Sequence, residues 1–85
     1  MLTFYVDFNY REDVDVVIVR LDVRLNSDIP EQQMKPGLRV TLYDETLECQ
    51  AILQEGNHAK WVAKLLRDTI RHIPEDQWNR LESPK

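Results

Sequence analysis

The sequence predicts a mainly β fold, either a small antiparallel barrel or a strongly curved sheet of five to six strands with an N-terminal hairpin and a short C-terminal helix. Two observations lead to this prediction. Apolar and polar residues alternate with period two over several short segments, and clusters of polar and turn-forming residues separate those segments. A chain of 85 residues has room for one hydrophobic core, so we expect a single domain over residues 1–85.

The N-terminal segment contains the clearest predicted strand. Its polar and apolar residues alternate, and the apolar set comprises Leu2, Phe4, Val6, Phe8 and Tyr10. A second apolar run covers residues 14–25 and changes phase between Val16 and Val19, which indicates a bulge, a bend or burial on both faces. Because only a few polar residues separate the two runs, we predict an antiparallel hairpin over residues 1–25.

The central segment predicts two further strands. Pro36-Gly37 is a turn signal, because proline fixes φ and glycine supplies the left-handed conformation at the next position. Residues 38–43 and 47–54 then alternate between apolar and polar side chains, and Asp44-Glu45-Thr46 joins them. We therefore expect two consecutive strands connected by a short turn.

Residues 57–73 fit two different structures. At helical spacing, the apolar residues from Trp61 to Ile73 share one broad face and the lysines and arginines lie opposite, as in an amphipathic helix. At period two, Trp61, Ala63 and Leu65 define a strand, Arg67-Asp68 forms a turn, and a last short strand follows. A helix over residues 58–73 would cover one face of a four-stranded antiparallel sheet and give an α+β domain.

The order of these segments allows a comparison with a known family. A strand follows the glycine turn, a middle strand covers residues 47–53, Trp61 leads a third strand, and Ile73-Pro74 precedes a short helical turn and Trp78. This order resembles that of the Src-homology-three-like small barrels. The resemblance implies a barrel-like core over residues 37–78 and strands in the segment that follows Lys60.

The resemblance does not extend to the peptide-binding groove of that family. Leu42-Tyr43-Asp44 is similar to a tripeptide of the peptide-binding members, but here it follows the glycine turn instead of preceding it. We therefore do not predict a groove that binds proline-rich peptides.

Beyond the barrel, Pro74 suits the first position of a helix and Glu75 and Asp76 suit its first turn, so we predict a helical tail that ends near Leu81.

Composition places the chain among ordinary soluble proteins. Hydrophobic residues make up 42% and charged residues 31%, and the net charge is −4. The acidic balance gives no support to general phosphate binding, although residues 57–85 carry six bases and four acids. With one cysteine, no signal-peptide pattern and no apolar run long enough to span a bilayer, we expect a cytoplasmic protein that does not associate with membranes.

The cysteine, the histidines and the acidic residues give no indication of an enzymatic function. Cys49 belongs to an alternating apolar set, so burial in the core is the favoured interpretation over nucleophilic catalysis. His58 and His72 lack the spacing of a zinc site. The acids from Glu12 to Asp15 lack the spacing of a calcium loop and indicate a solvated hairpin tip. We expect no catalytic residue, no metal and no cofactor.

The leading functional hypothesis is a small binding or accessory module. Tyr5 and Tyr43 lie on the polar parity of their strands and Trp78 lies in a polar tail, and exposed aromatic residues are favoured interface anchors. We therefore predict these three residues as contacts to a protein partner, with a homodimer through residues 1–25 as one form of partner binding. The alternative is single-stranded nucleic-acid binding by the basic segment 58–72, through residues Lys60, Trp61, Lys64, Arg67 and Arg71.

Overall fold

Residues 2–73 are described by a computed structural model, and they form one β-sheet. Seven strands run over these residues: β1 (Thr3–Tyr5), β2 (Arg11–Asp13), β3 (Val16–Val19), β4 (Arg39–Tyr43), β5 (Leu47–Glu55), β6 (Trp61–Leu65) and β7 (Arg71–His72). Three single 3₁₀ turns lie between them, at Arg24–Asn26, Glu31–Gln33 and Arg67–Thr69. The mainly β prediction is confirmed, while the helical tail predicted from Pro74 lies outside the described residues.

The sheet is open at both ends. Its strand order is β1-β4-β5-β6-β3-β2, and β7 pairs with the beginning of β5. β1 runs parallel to β4, whereas the other pairings are antiparallel. The predicted closure into a barrel is therefore wrong. Closure would need β1 and β2 to pair, but the outward-facing backbone groups of Tyr5 in β1 are bonded instead to the side chain of Asn26.

The N-terminal hairpin is shorter than the predicted one. β2 and β3 form the hairpin, whereas β1 lies at the far end of the sheet beside β4. Phe4, Val6 and Phe8 are all buried, as the period-two pattern predicts, but the chain leaves the sheet after Tyr5. The pattern correctly identifies Phe4, Val6 and Phe8 as buried, but Tyr10 of the same set is 52% exposed. The pattern also does not specify the strand with which the backbone pairs.

The segment after Lys60 is extended, and the alternative of a helix over residues 58–73 is wrong. β6 is a central strand that pairs with β3 on one side and with β5 on the other. Trp61, Ala63 and Leu65 point into the core, and Val62 is also buried, at 2% exposure, on the opposite side of the strand. Burial on both faces of a central strand produces consecutive apolar residues, which explains why this sequence also fits a helical period.

The hydrophobic core lies on one side of the sheet. In β5, Cys49, Ala51 and Leu53 face it, and the intervening residues face away. The other core side chains come from every long strand and from the connection before β4, and they include Phe4, Val17, Val19, Met34, Val40, Leu42 and Trp61. Burying one such large apolar side chain contributes about 1.5–3 kcal/mol. No helix within residues 2–73 has the length and apolar character needed to cross a membrane.

Candidate functional site: the outer face of the sheet

The sheet face opposite the core, called here the outer face, carries polar and aromatic side chains in two rows. Strand register aligns them across β1, β4, β5 and β7. The first row contains Tyr5, Tyr43, Glu48 and Arg71, and the second contains Thr3, Thr41 and Gln50. Because neighbouring strands lie about 4.8 Å apart, side chains in one row contact each other directly.

Tyr5 and Tyr43 form an aromatic pair at the β1 end of the first row. Their ring centroids are 5.5 Å apart and the ring planes meet at 75°, which is an edge-to-face contact. The Tyr5 hydroxyl donates to Glu45 Oε1 at 3.5 Å. Both tyrosines are half-buried, and each of them, like Thr41, makes a further interaction. An edge-to-face pair of this kind contributes roughly 0.5–1.5 kcal/mol of stability beyond the hydrophobic stabilisation that comes from the area it buries.

Beside this pair lies a cleft with a volume of about 390 Å³. It is lined by residues from four strands and one turn, which are Thr3, Thr41, Glu48, Cys49, Gln50, Thr69 and Arg71. Arg71 Nε and Nη2 donate to Glu48 Oε1 at 2.7 and 2.6 Å, so the guanidinium is fixed against the carboxylate. The cleft therefore presents hydroxyl and amide groups beside a locally neutralised ion pair.

Thr69, which lines the cleft, bonds the part of β5 that lies between β6 and β7. β6 ends at Leu65 and β7 begins at Arg71, which leaves part of β5 without a neighbouring strand. The Thr69 hydroxyl accepts from the Gln50 N–H at 2.8 Å and donates to the Leu66 carbonyl at 2.6 Å. It thus satisfies the Gln50 N–H, which has no neighbouring strand to bond, and Cys49 Sγ lies 3.5 Å from the same hydroxyl.

The structure brings together two of the three predicted partner contacts. Tyr5 and Tyr43 are 38 positions apart in the chain and directly opposite each other in the parallel β1–β4 pair. Their position on the polar parity of their strands is what places both on the outer face. Trp78, the third predicted contact, lies outside the described residues.

The residues of the predicted nucleic-acid surface are dispersed. Lys60 Nζ pairs with Glu31 Oε2 at 2.5 Å, and the Trp61 indole N–H donates to the same oxygen at 3.1 Å. The hydrogen bond from Lys60, followed by that from Trp61, lowers the pKa of Glu31. The Trp61 ring is only 9% exposed and belongs to the core. It is therefore not available as a stacking platform between the bases.

The remaining bases of this set occupy other parts of the surface. Arg67 forms an ion pair at 2.6 Å with Asp15, which lies in the loop that joins β2 and β3. The hydrogen bond between these two side chains raises the pKa of Arg67. Arg71 lies in the cleft, whereas Lys64 is exposed on the outer face of β6. The five residues do not form a single surface.

Glu12 has a role that the sequence did not reveal. Its carboxylate accepts hydrogen bonds from three consecutive backbone N–H groups in the β5–β6 loop, those of Asn57, His58 and Ala59, at 2.8–3.0 Å. These bonds, with that from Ala59 the largest cause, lower the pKa of Glu12. The side chain predicted to be part of a solvated tip thus connects the edge strand β2 to a distant hairpin loop. No cluster of three or more metal-ligating side chains exists among residues 2–73.

β1 and β2, the two edge strands within residues 1–25, each have features that oppose pairing with another strand. Asn26 covers the edge of β1 at Tyr5. β2 is only three residues long, each of them charged, and its pairing with β3 is irregular between Arg11 and Asp13. Short, charged and bulged edges resist the addition of another strand, so the geometry gives no support to a homodimer built by strand pairing through residues 1–25.

Comparison with known proteins gave no match to a family model, to a curated protein or to a solved structure.

Proposed function

We propose that this chain is a non-enzymatic protein-binding module whose contact surface is the outer face around Tyr5, Tyr43 and the adjacent cleft. The observation that carries this proposal is the packing of two tyrosines side by side, next to a polar cleft on the same face of the sheet. Tyrosine is enriched in protein interfaces because it offers a large apolar ring, a polar tip and few rotatable bonds. Neighbouring aromatic anchors commonly supply most of the binding energy.

The cleft suits an extended segment of a partner protein. Three threonine hydroxyls and the Gln50 amide line it. The Thr69 hydroxyl already bonds the Gln50 N–H and the Leu66 carbonyl, and Gln50 Oε1 accepts from Arg39 Nε at 2.6 Å. A partner would therefore bond chiefly to the Thr3 hydroxyl, which can donate and accept, and to the side-chain NH₂ of Gln50, which can donate. An extended peptide presents alternating N–H and C=O groups to such a surface and projects every second side chain toward it. We infer that an apolar or aromatic side chain of the partner packs against the tyrosine pair while its backbone bonds to the cleft.

The surroundings of Cys49 favour binding over catalysis. The thiol is 1% exposed, and its neighbours are the carbonyl oxygens of Gln50 and Leu66 and the Thr69 hydroxyl. A nucleophilic thiol needs a nearby base or positive charge to form the thiolate. The charged groups of the cleft, Glu48 and Arg71, are already paired with each other.

Selection of peptides on the full-length chain tests this proposal. A random peptide library would be selected against the immobilised protein, and the dissociation constant of each enriched peptide would be measured by calorimetry. We expect the peptides to shift the amide resonances of Thr3, Thr41, Gln50 and Thr69, and to bind at least about 30-fold more weakly to Tyr43→Ala, the loss typical of an aromatic anchor.

Tyr10→Ala is the matched control, since Tyr10 is 52% exposed and precedes β2 at the opposite end of the sheet. A second variant, Thr3→Arg, obstructs the cleft from the exposed side chain of Thr3 in β1 while leaving both tyrosines in place. The proposal fails if the selected peptides map to another surface, or if Tyr43→Ala and Tyr10→Ala weaken binding equally in variants that remain folded.

A further inference from the structure

A third row of side chains crosses the outer face beyond the cleft. Strand register places Arg39 of β4, Ile52 of β5 and Lys64 of β6 side by side. Arg39 and Lys64 are exposed, and Ile52 between them is half-buried. Because adjacent strands lie about 4.8 Å apart, the Cα atoms of the two cationic residues are roughly 10 Å apart, with an apolar side chain between them.

The two bases of the third row have no acidic partner. Neither Arg39 nor Lys64 forms an ion pair with a carboxylate of residues 2–73. Arg39 Nε donates to the neutral Gln50 side chain, which lines the cleft. On a chain with a net charge of −4, this part of the outer face therefore carries two positive charges that no described acid neutralises.

The tyrosine end of the outer face has the opposite character. The first row has no unpaired cation, because its base, Arg71, is bonded to Glu48. Glu45, which contacts the Tyr5 hydroxyl, adds a negative charge at the same end. A carboxylate of a partner is therefore attracted to the third row and repelled from the tyrosine pair.

An extended partner segment would match these rows at a fixed spacing. Tyr43, Thr41 and Arg39 project from the same face of β4, and four residues of a strand span about 13 Å. A segment lying along β4 also projects its side chains i, i+2 and i+4 to one side. Side chain i then meets the tyrosine pair, i+2 meets the cleft and i+4 meets the cations of the third row.

We propose that the partner segment is acidic and places an aspartate or glutamate, four residues from its apolar anchor, between Arg39 and Lys64 above Ile52. This inference rests on the proposed function, since it specifies the chemistry of the segment that the outer face binds. A peptide carboxylate fits this row better than a nucleic acid does. Single-strand binding uses cations along the whole backbone, whereas the third row supplies two at one end of the face.

A biased peptide library tests the spacing. Capped peptides with a central phenylalanine and varied positions on both sides would be selected against the immobilised full-length chain. We expect acids to be enriched at the fourth position on one side of the phenylalanine, and not at the third, whose side chain projects the opposite way. Replacing that acid by its amide should weaken binding about three- to fivefold at low salt, and less at high salt, as for exposed ion pairs.

Two charge variants assign this effect to the third row. In Arg39→Gln/Lys64→Gln, we expect the acid and amide forms of the peptide to bind equally. The matched control Arg24→Gln/Lys35→Gln removes the same charge from two exposed bases in the connection between β3 and β4, and it should retain the difference. Unchanged core resonances would show that both variants remain folded.

The possible failures of this inference and of the proposed function are distinguishable. Peptides that bind at the tyrosine pair and cleft without the acid preference, or whose acid effect survives in Arg39→Gln/Lys64→Gln, would overturn the inference and leave the proposed function in place. Peptides that map to another surface would remove both. A thymidine oligonucleotide that shifts the Arg39 and Lys64 amides and displaces the peptide would assign the two cations to phosphate and overturn the inference.

Discussion

The side chain of Asn26 takes the place of a neighbouring strand for Tyr5. The Tyr5 N–H donates to Asn26 Oδ1 at 2.8 Å, and Asn26 Nδ2 donates to the Tyr5 carbonyl at 2.9 Å. The same Nδ2 also donates to the carbonyl of Arg20 at 2.7 Å. Because Asn26 is only 1% exposed, this amide satisfies three backbone groups in a place that water does not readily reach. It ends the sheet at β1 and anchors the connection that follows β3.

Replacing Asn26 is therefore expected to destabilise the fold strongly. In Asn26→Ala the three backbone groups lose their partner, and each buried, unsatisfied group costs about 1–3 kcal/mol, less where water enters the space. We expect a loss of about 3 kcal/mol in the free energy of unfolding, measured by urea denaturation. Asn26→Asp is also expected to be destabilising, since a carboxylate would face two carbonyl oxygens.

Asn9→Ala provides the control for this experiment, because Asn9 is exposed. We expect its unfolding free energy to stay within about 0.5 kcal/mol of the parent chain. An Asn26→Ala variant as stable as this control would show that the amide does not contribute to the edge of the sheet.

Local periodicity predicted burial better than strand pairing, although Tyr10, Val14 and Leu25 of the predicted apolar runs are exposed. The alternation of Phe4, Val6 and Phe8 correctly identified the buried parity, but β1 pairs in parallel with a strand nearly 40 positions away. Such a pairing is determined by the packing of the whole core and leaves no local pattern. Asn26 begins a polar stretch that the sequence presents as a surface connection, and its partner Tyr5 is 21 positions distant, so its burial could not be inferred.

The carboxylate of Glu12 predicts a pH-dependent stability. Its pKa in the folded chain lies below the ordinary value of 4.5 because three loop N–H groups bond the charged form. A lowered folded pKa means that the stabilisation is complete above the unfolded pKa and is lost as the pH falls through the folded one. We expect Glu12→Gln to be less stable than the parent at neutral pH, and the difference to shrink as the pH falls below about 4.5.

Chemical denaturation from pH 7 to pH 3 would measure this difference, and hydrogen exchange of the Asn57, His58 and Ala59 amides would locate it. Glu55→Gln is the matched control, since Glu55 is an exposed acid at the end of β5 beside the same loop. A pH-independent difference between Glu12→Gln and the parent would contradict the assignment of the effect to this carboxylate.

The two glycines are expected to respond differently to substitution by alanine. A Cβ on Gly56 would lie 2.1 Å from the Ala59 carbonyl oxygen and 2.9 Å from Val62 Cγ1, so the β5–β6 loop would have to move. Gly37 has open space around it but adopts φ of +90°, which costs a residue with a side chain about 1–2 kcal/mol. The turn predicted at Pro36-Gly37 requires this conformation.

We expect Gly56→Ala to lower the unfolding free energy more than Gly37→Ala, and to increase hydrogen exchange at Asn57 and Ala59 because their bonds to Glu12 are disturbed. Gly37→Ala should leave those amides protected. Equal exchange in the two variants would show that the close contact at Gly56 is relieved without moving the loop.

The candidate site was predictable only in part. Strand parity placed Tyr5 and Tyr43 on the polar face, because a period-two pattern assigns every side chain to one of two faces. The cleft beside them depends on Thr69 and Arg71, which reach β5 only because β6 ends at Leu65. That interruption follows from tertiary packing, so no sequence pattern indicates which of these polar residues lie together.

The geometry also predicts the outcome of an experiment on nucleic-acid binding. Lys60, Arg67 and Arg71 are each paired with a carboxylate, and the Trp61 ring lies in the core. Single-strand recognition needs exposed aromatic rings for stacking and unpaired cations that meet phosphates. We therefore expect a single-stranded thymidine oligonucleotide, titrated at low salt, to leave the amide resonances of residues 58–72 unshifted.

Glu31→Gln extends this test, because it releases Lys60 from its ion pair without exposing Trp61. If free positive charge were the only requirement, this variant would bind the oligonucleotide and the parent would not. Saturable shifts at Lys60 and Lys64 in the parent chain, disappearing steeply as the salt concentration rises, would instead establish a phosphate-binding surface. Such a result would require the ion pairs seen in the free chain to open on binding, and it would make nucleic acid the better-supported ligand.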